Sequence, residues 1–291
     1  MSEQDYNYLE QQRQKVANYT TVCIVLGVIG FFTFIFVIGF FFIFGALLFY
    51  AIGVNKMRKN YAYAFKKIVV EDALKNVFTN LTFYPDRGLS KNIIKETDMM
   101  MLGNRYSSDD YVSGKYKSVC FQQSDVCIQQ VTSDSDGTST TTYFHGRWMI
   151  FEFNKNFRYD LQVRQKGFAY AKKTGGRFSG GYEMDKIEME DVDFNNLFNT
   201  FAVNEHEAYY ILTPQMMQSL KNLTSYTKGK LLLCFTKNHL HVAVNSGNNA
   251  FEPKIYSKTN MDTINNQIYG EINVITRFID ELQLNKDIFK T

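Results

Sequence analysis

A few side chains in this sequence are of types that could do chemistry. His239-Leu240-His241 puts two imidazoles two residues apart, so in an extended strand both lie on one face. That spacing can hold a metal ion, but no third ligand stands nearby. We read the pair as the polar outer face of a hairpin, with Leu240 and Val242 on the inner side. His206, between Glu205 and Glu207, could titrate near neutral pH and reads as an exposed turn residue. His145, beside Gly146, reads as structural. Cys120 or Cys127 could pair with a histidine as nucleophile and base. Both cysteines lie in alternating segments, away from the helix N-termini and cations that favour a thiolate.

The remaining polar clusters are read the same way. Lys172–Gly181 holds four glycines and three basic residues. A phosphate-cradling loop needs a strand before it and a helix after it, and neither is evident, so a solvated loop is expected. Asp109-Asp110 and Glu188, Glu190, Asp191 and Asp193 offer carboxylates. Glu188 and Glu190 would share one strand face, which points to solvent rather than Ca²⁺ or catalysis. No catalytic, cofactor-binding or metal-ligating residue is assigned, and no cofactor is expected.

The elements that would position these groups follow from periodicity. Asn60 to Leu81 reads as an amphipathic helix, with Phe65, Val69, Leu74, Val77, Phe78 and Leu81 at helical spacing. Tyr84 to Gly88 is a turn, and Leu89 to Leu102 begins as a helix. From Tyr111 the period changes to two. Val112–Gln122 and Val126–Thr132 read as paired strands, Ser133–Thr142 as a loop and Thr142–Phe153 as a third strand. Leu161–Arg164 adds a short strand. Ile187–Val192 and Ala208–Leu212 are expected strands, with a short helix around Phe194–Phe201 between them. Thr213 caps a helix from Pro214 to Leu223. Leu231–Phe235 and Leu240–Val244 would form a hairpin around Thr236-Lys237-Asn238, and Met261–Leu282 a long C-terminal helix. The pattern is α+β with mostly antiparallel strands.

Ahead of this domain lies a segment of another kind. Val16 to Asn55 carries no charge, and Val22 to Val54 is apolar throughout but for one Thr. A single helix through those 33 residues would be about 50 Å long, against a hydrocarbon core of about 30 Å. Two short spans with a turn near Gly39 fit better. Arg13 and Lys15 precede the run; Lys56, Arg58, Lys59, Lys66 and Lys67 follow it. Basic flanks stay on the cytoplasmic side, so both ends are expected there. The run is too long for the apolar core of a cleaved signal peptide. The expected organisation is a polar arm over 1–15, a transmembrane hairpin over 16–55, a juxtamembrane amphipathic helix over 56–83 and a cytoplasmic α+β domain over 84–291.

Composition excludes some classes. Beyond the run there are 30 Lys and Arg against 26 Asp and Glu, a surplus of four that argues against nucleic acid. The four cysteines form no CxxC pair, so a zinc ribbon or thioredoxin-type motif is not supported. A Cys120–Cys127 disulfide is open in principle; reduced thiols are expected in a cytoplasmic domain. The sequons at Asn18, Asn80 and Asn222 would matter only in a secretory lumen.

Several phrases follow a family order: Tyr84-Pro85, Asp109 to Gly114, Phe144 to Met149, Phe153 to Phe157, Asp193 to Phe198 and Tyr210 to Pro214. With the N-terminal apolar hairpin, the chain resembles the bacterial membrane-protein family known as domain of unknown function 3137. The resemblance implies architecture and no activity, and a shared complex with LemA-type membrane proteins. The Gly-rich stretch at 172–181 departs from the family pattern. The expected role is a membrane-anchored, non-enzymatic interaction or scaffold module of a bacterial envelope complex. Its partners would be the lipid bilayer and a LemA-type protein or a second copy. The alternatives are a Cys/His hydrolase at the membrane, or a lipid-interacting domain working through Lys56–Lys67 and 172–181.

Overall fold

The computed structural model describes residues 2–33, 38–135, 137–172, 183–256 and 261–285. The chain divides into two compact units, Met1–Asn76 with Phe251–Tyr269, and Val77–Ala250 with Gly270–Thr291.

In the first unit, α1 (Glu3–Phe32) opens on a capping box. Ser2 Oγ accepts from the Asp5 N–H at 3.1 Å, and the Asp5 carboxylate accepts from the Ser2 N–H at 3.1 Å. α2 (Ile38–Phe49) runs through a π-helical turn, Tyr50–Val54, into α3 (Asn55–Phe65). A second π-helical turn, Lys66–Val70, leads into α4 (Glu71–Val77). Two helices, Glu3–Phe32 and Gly39–Val77, are long and apolar enough to cross a membrane. The buried residues of α1 are Leu9, Val16, Thr20, Cys23 and Gly30, a stripe stepping by three, four or seven. The two helices meet along that stripe. At Gly30 an added Cβ would lie 2.6 Å from Ile43 Cγ1 and 2.9 Å from the Gly39 carbonyl oxygen. Glycine is needed at Gly30 for this close approach. Gly39 lies within α2, so the chain has reversed before it; residues 34–37 lie outside the described residues.

The second unit is α+β. β4 (Gly137–Gln165) is its spine. β7 (Lys230–Asn245) runs antiparallel along one edge of β4, while β3 (Val119–Asp134) and then β6 (Phe198–Ala202) take the other. The rest of the antiparallel sheet is β2 (Arg105–Tyr116) beside β3, β1 (Thr79–Tyr84) beside β2, and β5 (Asp185–Ile187) beside β6. One face carries α5 (Lys91–Thr97), whose Ile94 joins a buried cluster with Val126, Phe144, Trp148, Ile150, Cys234 and Ala243. On the other face Phe151 stacks on Phe278 of α9 (Met261–Glu281), with ring centroids 6.3 Å apart. The short helices are α6 (Val192–Leu197), α7 (Glu205–Ile211) and α8 (Pro214–Tyr226). Thr213 caps α8 as expected, its Oγ1 accepting from the Met216 N–H at 3.2 Å.

Several expectations are corrected. The helix expected to Leu81 stops at Val77, and Leu81 lies in β1, where pairing with β2 overrides its helical phase. The hairpin between β2 and β3 turns at Lys117-Ser118, not between Gln122 and Val126; both turn residues have positive φ without the usual Asn or Gly. Ser133, Asp134 and Gly137–Thr142, expected as loop, extend the β3–β4 ladder as strand, down to the pair Asp134–Gly137. Ala208–Leu212 is not a strand. It falls in α7 and its C-cap, and Asn204 caps α7 by accepting from the Glu207 N–H at 3.0 Å. Phe198–Phe201 is strand, not helix. Leu231–Val244 is one strand bent at Lys237 (φ 50°), not a hairpin, and it pairs with β4 on both sides of the bend. The core of the glycine-rich stretch, 173–181, lies outside the described residues.

Candidate functional site

A cleft of about 900 Å³ opens in the second unit between α5 and the sheet. Asn92, Ile93, Lys95, Glu96, Thr97 and Asp98 form one wall; Gln122, Ile150, Thr236, Lys237, His239 and His241 form the other. Ladder registry explains the sheet wall. Gln122, Ile150 and His241 are direct neighbours across β3, β4 and β7. Asp98 ends α5 in the left-handed region (φ 46°), which short polar residues tolerate, and pairs with Lys172.

His241 forms the inner end of the cleft. The Trp148 indole N–H donates to its Nδ1 at 3.3 Å. Burial, and to a lesser degree the neighbouring His239, lower its pKa to about 3. The ring is therefore neutral at physiological pH, with its proton on Nε2. This opposes the metal reading. A ligating histidine coordinates through one nitrogen and donates from the other, whereas here the second nitrogen is already an acceptor. The two rings lie 6.5 Å apart, and among the described residues no third ligand completes a cluster with them.

Other ionisable groups lie on the same sheet face. Asp160 bonds to Thr236 beside the cleft, and burial raises its carboxyl to about 6. Arg164 is buried; its Nε donates to Gln162 Oε1 at 2.8 Å, and its guanidinium sits 4.2 Å from the centre of the Phe201 ring. Burial lowers its pKa to about 10, so it stays charged at neutral pH. Gln162 Nε2 donates onward to the Thr97 carbonyl at 2.6 Å and fixes the end of α5. Reasoning from sequence missed this set. Asp160, Gln162 and Arg164 alternate with Leu161 and Val163, a pattern that separates two faces without telling which is covered.

The cysteines are placed one by one. Cys120 of β3 hydrogen-bonds to Glu152 of β4, and Glu152 lies opposite His239 of β7. Burial and a hydrogen bond to the Glu152 carboxylate push the Cys120 thiol up. Cys127 pairs in register with His145, but burial and Asp109 push its thiol up too. His145 is engaged elsewhere, its Nε2 2.7 Å from Asn249 Oδ1. Cys234 is fully buried, and burial raises its thiol well above the ordinary range. Each of these environments opposes a thiolate. Cys120 and Cys127 sit seven residues apart on one strand, about 23 Å, beyond disulfide reach.

The remaining polar residues have structural surroundings. His206 is exposed in the first turn of α7. Asp191 caps α6, accepting from the Phe194 N–H at 2.9 Å, and pairs with Lys221 at 2.6 Å. Glu188 and Glu190 are exposed beyond β5 rather than on a strand, and Asp193 is exposed in α6. Asp110 is buried where β2 bulges, with φ 53°, next to Asp109.

No curated protein matches the chain. Among solved structures, the mycobacterial trehalose monomycolate transport factor A, TtfA, superposes at 8% identity and a TM-score of 0.39, covering 76% of this chain and 95% of that one. That superposition is too loose to carry a functional reading. Residues 142–284, from the start of the β4 core through α9, match the model of the family described as a protein of unknown function, DUF3137, the family that the sequence resembles.

Proposed function

We propose that this chain is a membrane-anchored, non-enzymatic interaction module whose α+β unit is held at the cytoplasmic face. The carrying observation is the matched length of the two helical arms. Lys15 precedes Thr33, the C-cap of α1, by 18 residues, and Lys56 follows Ile38, the start of α2, by 18. Each arm is thus about 27 Å of uncharged helix, close to the thickness of a hydrocarbon core. Phe31, Phe32, Phe40, Phe41 and Phe44 are exposed along these arms, as lipid-facing side chains are. Basic residues beyond both arms favour both ends on the cytoplasmic side. The raised thiols of the second unit support a non-enzymatic role, and its cleft is the surface we assign to partner recognition. The partner in this reading is another membrane protein, such as a LemA-type protein, or a second copy.

Two measurements test it. A cysteine at exposed Ser139 should react with a membrane-impermeant maleimide only after the cells are opened; labelling of intact cells would refute the cytoplasmic placement. Tagged full chain, purified from gently solubilised membranes, should carry a stoichiometric partner or a second copy. Repeated recovery as a lone monomer would refute the interaction role.

A further inference from the structure

The anchor brings distant basic residues to one level. Gln11 to Val70 is a stretch of sixty residues with no Asp or Glu and with seven Lys or Arg. Three of the seven are held by carboxylates: Arg13 by Glu10 at 2.7 Å, Lys66 by Glu252 at 2.8 Å, and Lys67 by Glu71. Lys15, Lys56 and Lys59 are exposed. Arg58 donates from Nη1 to the Tyr50 hydroxyl at 2.8 Å.

The helix pairing sets their heights. Gly30 meets Gly39 and Ile43, the Tyr19 ring lies 5.8 Å from that of Phe49, and Arg13 and Tyr61 line one small cavity. Interpolating along these antiparallel contacts brings Lys15 level with Lys56 to Lys59. Tyr19 and Tyr50 fall just on the apolar side, where interfacial tyrosines sit. The four basic groups therefore form a ring at one end of the two 27 Å arms, which is headgroup depth.

We infer that this ring, formed by Lys15, Lys56, Arg58 and Lys59, binds anionic phospholipid headgroups. The inference rests on the anchor reading and adds a lipid class to it. Phosphate oxygens match the ammonium and guanidinium donors, and a bilayer surface matches a ring whose depth is set by the anchor. An acidic protein would need to reach the same depth.

The test uses the full chain in micelles doped with equal phosphatidylglycerol and phosphatidylcholine, with retained lipids counted by native mass spectrometry at physiological salt. Phosphatidylglycerol should be retained preferentially. K15Q, K56Q and K59Q should each weaken its retention about fivefold. K228Q, an exposed lysine of the second unit, should leave retention unchanged. Equal retention of the two lipids, or equal losses in K228Q and the ring variants, would overturn the inference. Carbonate extraction of membranes separates the two readings. A chain that stays in the pellet without lipid preference overturns the lipid ring alone; a chain that is washed off overturns the anchor and the ring together.

Discussion

The Trp148 indole N–H points at Nδ1 of His241 across 3.3 Å, and this bond decides what the histidine can do. It leaves Nε2 protonated, so the ring is a neutral donor rather than a metal ligand or a base. Trp148 is also the single tryptophan of the chain, so its fluorescence reports on this core.

His241 should make the second unit acid-sensitive. Its folded pKa, about 3, lies below the unfolded value, so between pH 6.5 and 3 the unfolded chain binds the extra proton. Stability from this group is complete above about pH 6.5 and falls as pH drops towards 3, by on the order of 5 kcal/mol across that window. Urea midpoints of the full chain in detergent, read by Trp148 fluorescence, should show a shallower acid loss in His241→Gln. Parallel pH profiles for the two proteins would count against the buried neutral ring.

Asp160 should act in the opposite sense. Its folded pKa, about 6, is raised, so its contribution is present below about pH 3.8 and is lost as pH rises through 6. Asp160→Asn should therefore gain stability over the parent between pH 4 and 6 and keep that gain at pH 7. Solvent screening of this half-exposed group reduces the expected gain to about 1 kcal/mol. A variant that is less stable than the parent at pH 7 would contradict the assignment.

The thiols should be sluggish. At pH 8, alkylation of Cys120 and Cys127 by iodoacetamide should be slower than in the unfolded chain, and Cys234 should stay unmodified. Glu152→Gln should speed the reaction at Cys120 and leave Cys127 unchanged. Mass spectrometry of timed samples gives the rates. A Cys120 reacting faster than the unfolded reference would revive nucleophilic chemistry at this thiol.

Gly30 should be the sensitive glycine of the anchor. A Cβ there meets Ile43 and the Gly39 backbone, whereas a Cβ at Gly27 has nothing within 4 Å. Gly30→Ala should therefore separate the helices at a cost of about 1–3 kcal/mol, and Gly27→Ala should not. Cross-linking yield between cysteines placed at Tyr19 and Phe49 measures the effect. Equal yields in the two variants would mean that the helices do not pack at Gly30.

Much of this was legible locally. The uncharged run, its basic flanks, the Thr213-Pro214 helix start and the change to period two are all properties of neighbouring residues. Local rules failed where a local signal was weak or overruled. The Lys117-Ser118 turn carries neither Asn nor Gly, and Leu81 keeps a helical phase inside a strand. The start of α7 at Asn204-Glu205-His206-Glu207 was readable as a capping sequence, yet the β-like Tyr209-Tyr210-Ile211-Leu212 outweighed it.

The sequence by itself determined a long uncharged apolar segment and an α+β domain, because hydrophobic period and charge are written along the chain. Only the tertiary structure decided which face of each strand is covered. Leu161 and Val163 alternate with Asp160, Gln162 and Arg164, and it is Gln162 that reaches α5, with Arg164 bonded to it. The pairings of His241 with Trp148 and of Tyr19 with Phe49 likewise join residues far apart in sequence. Such contacts depend on which elements meet, and no local pattern encodes that.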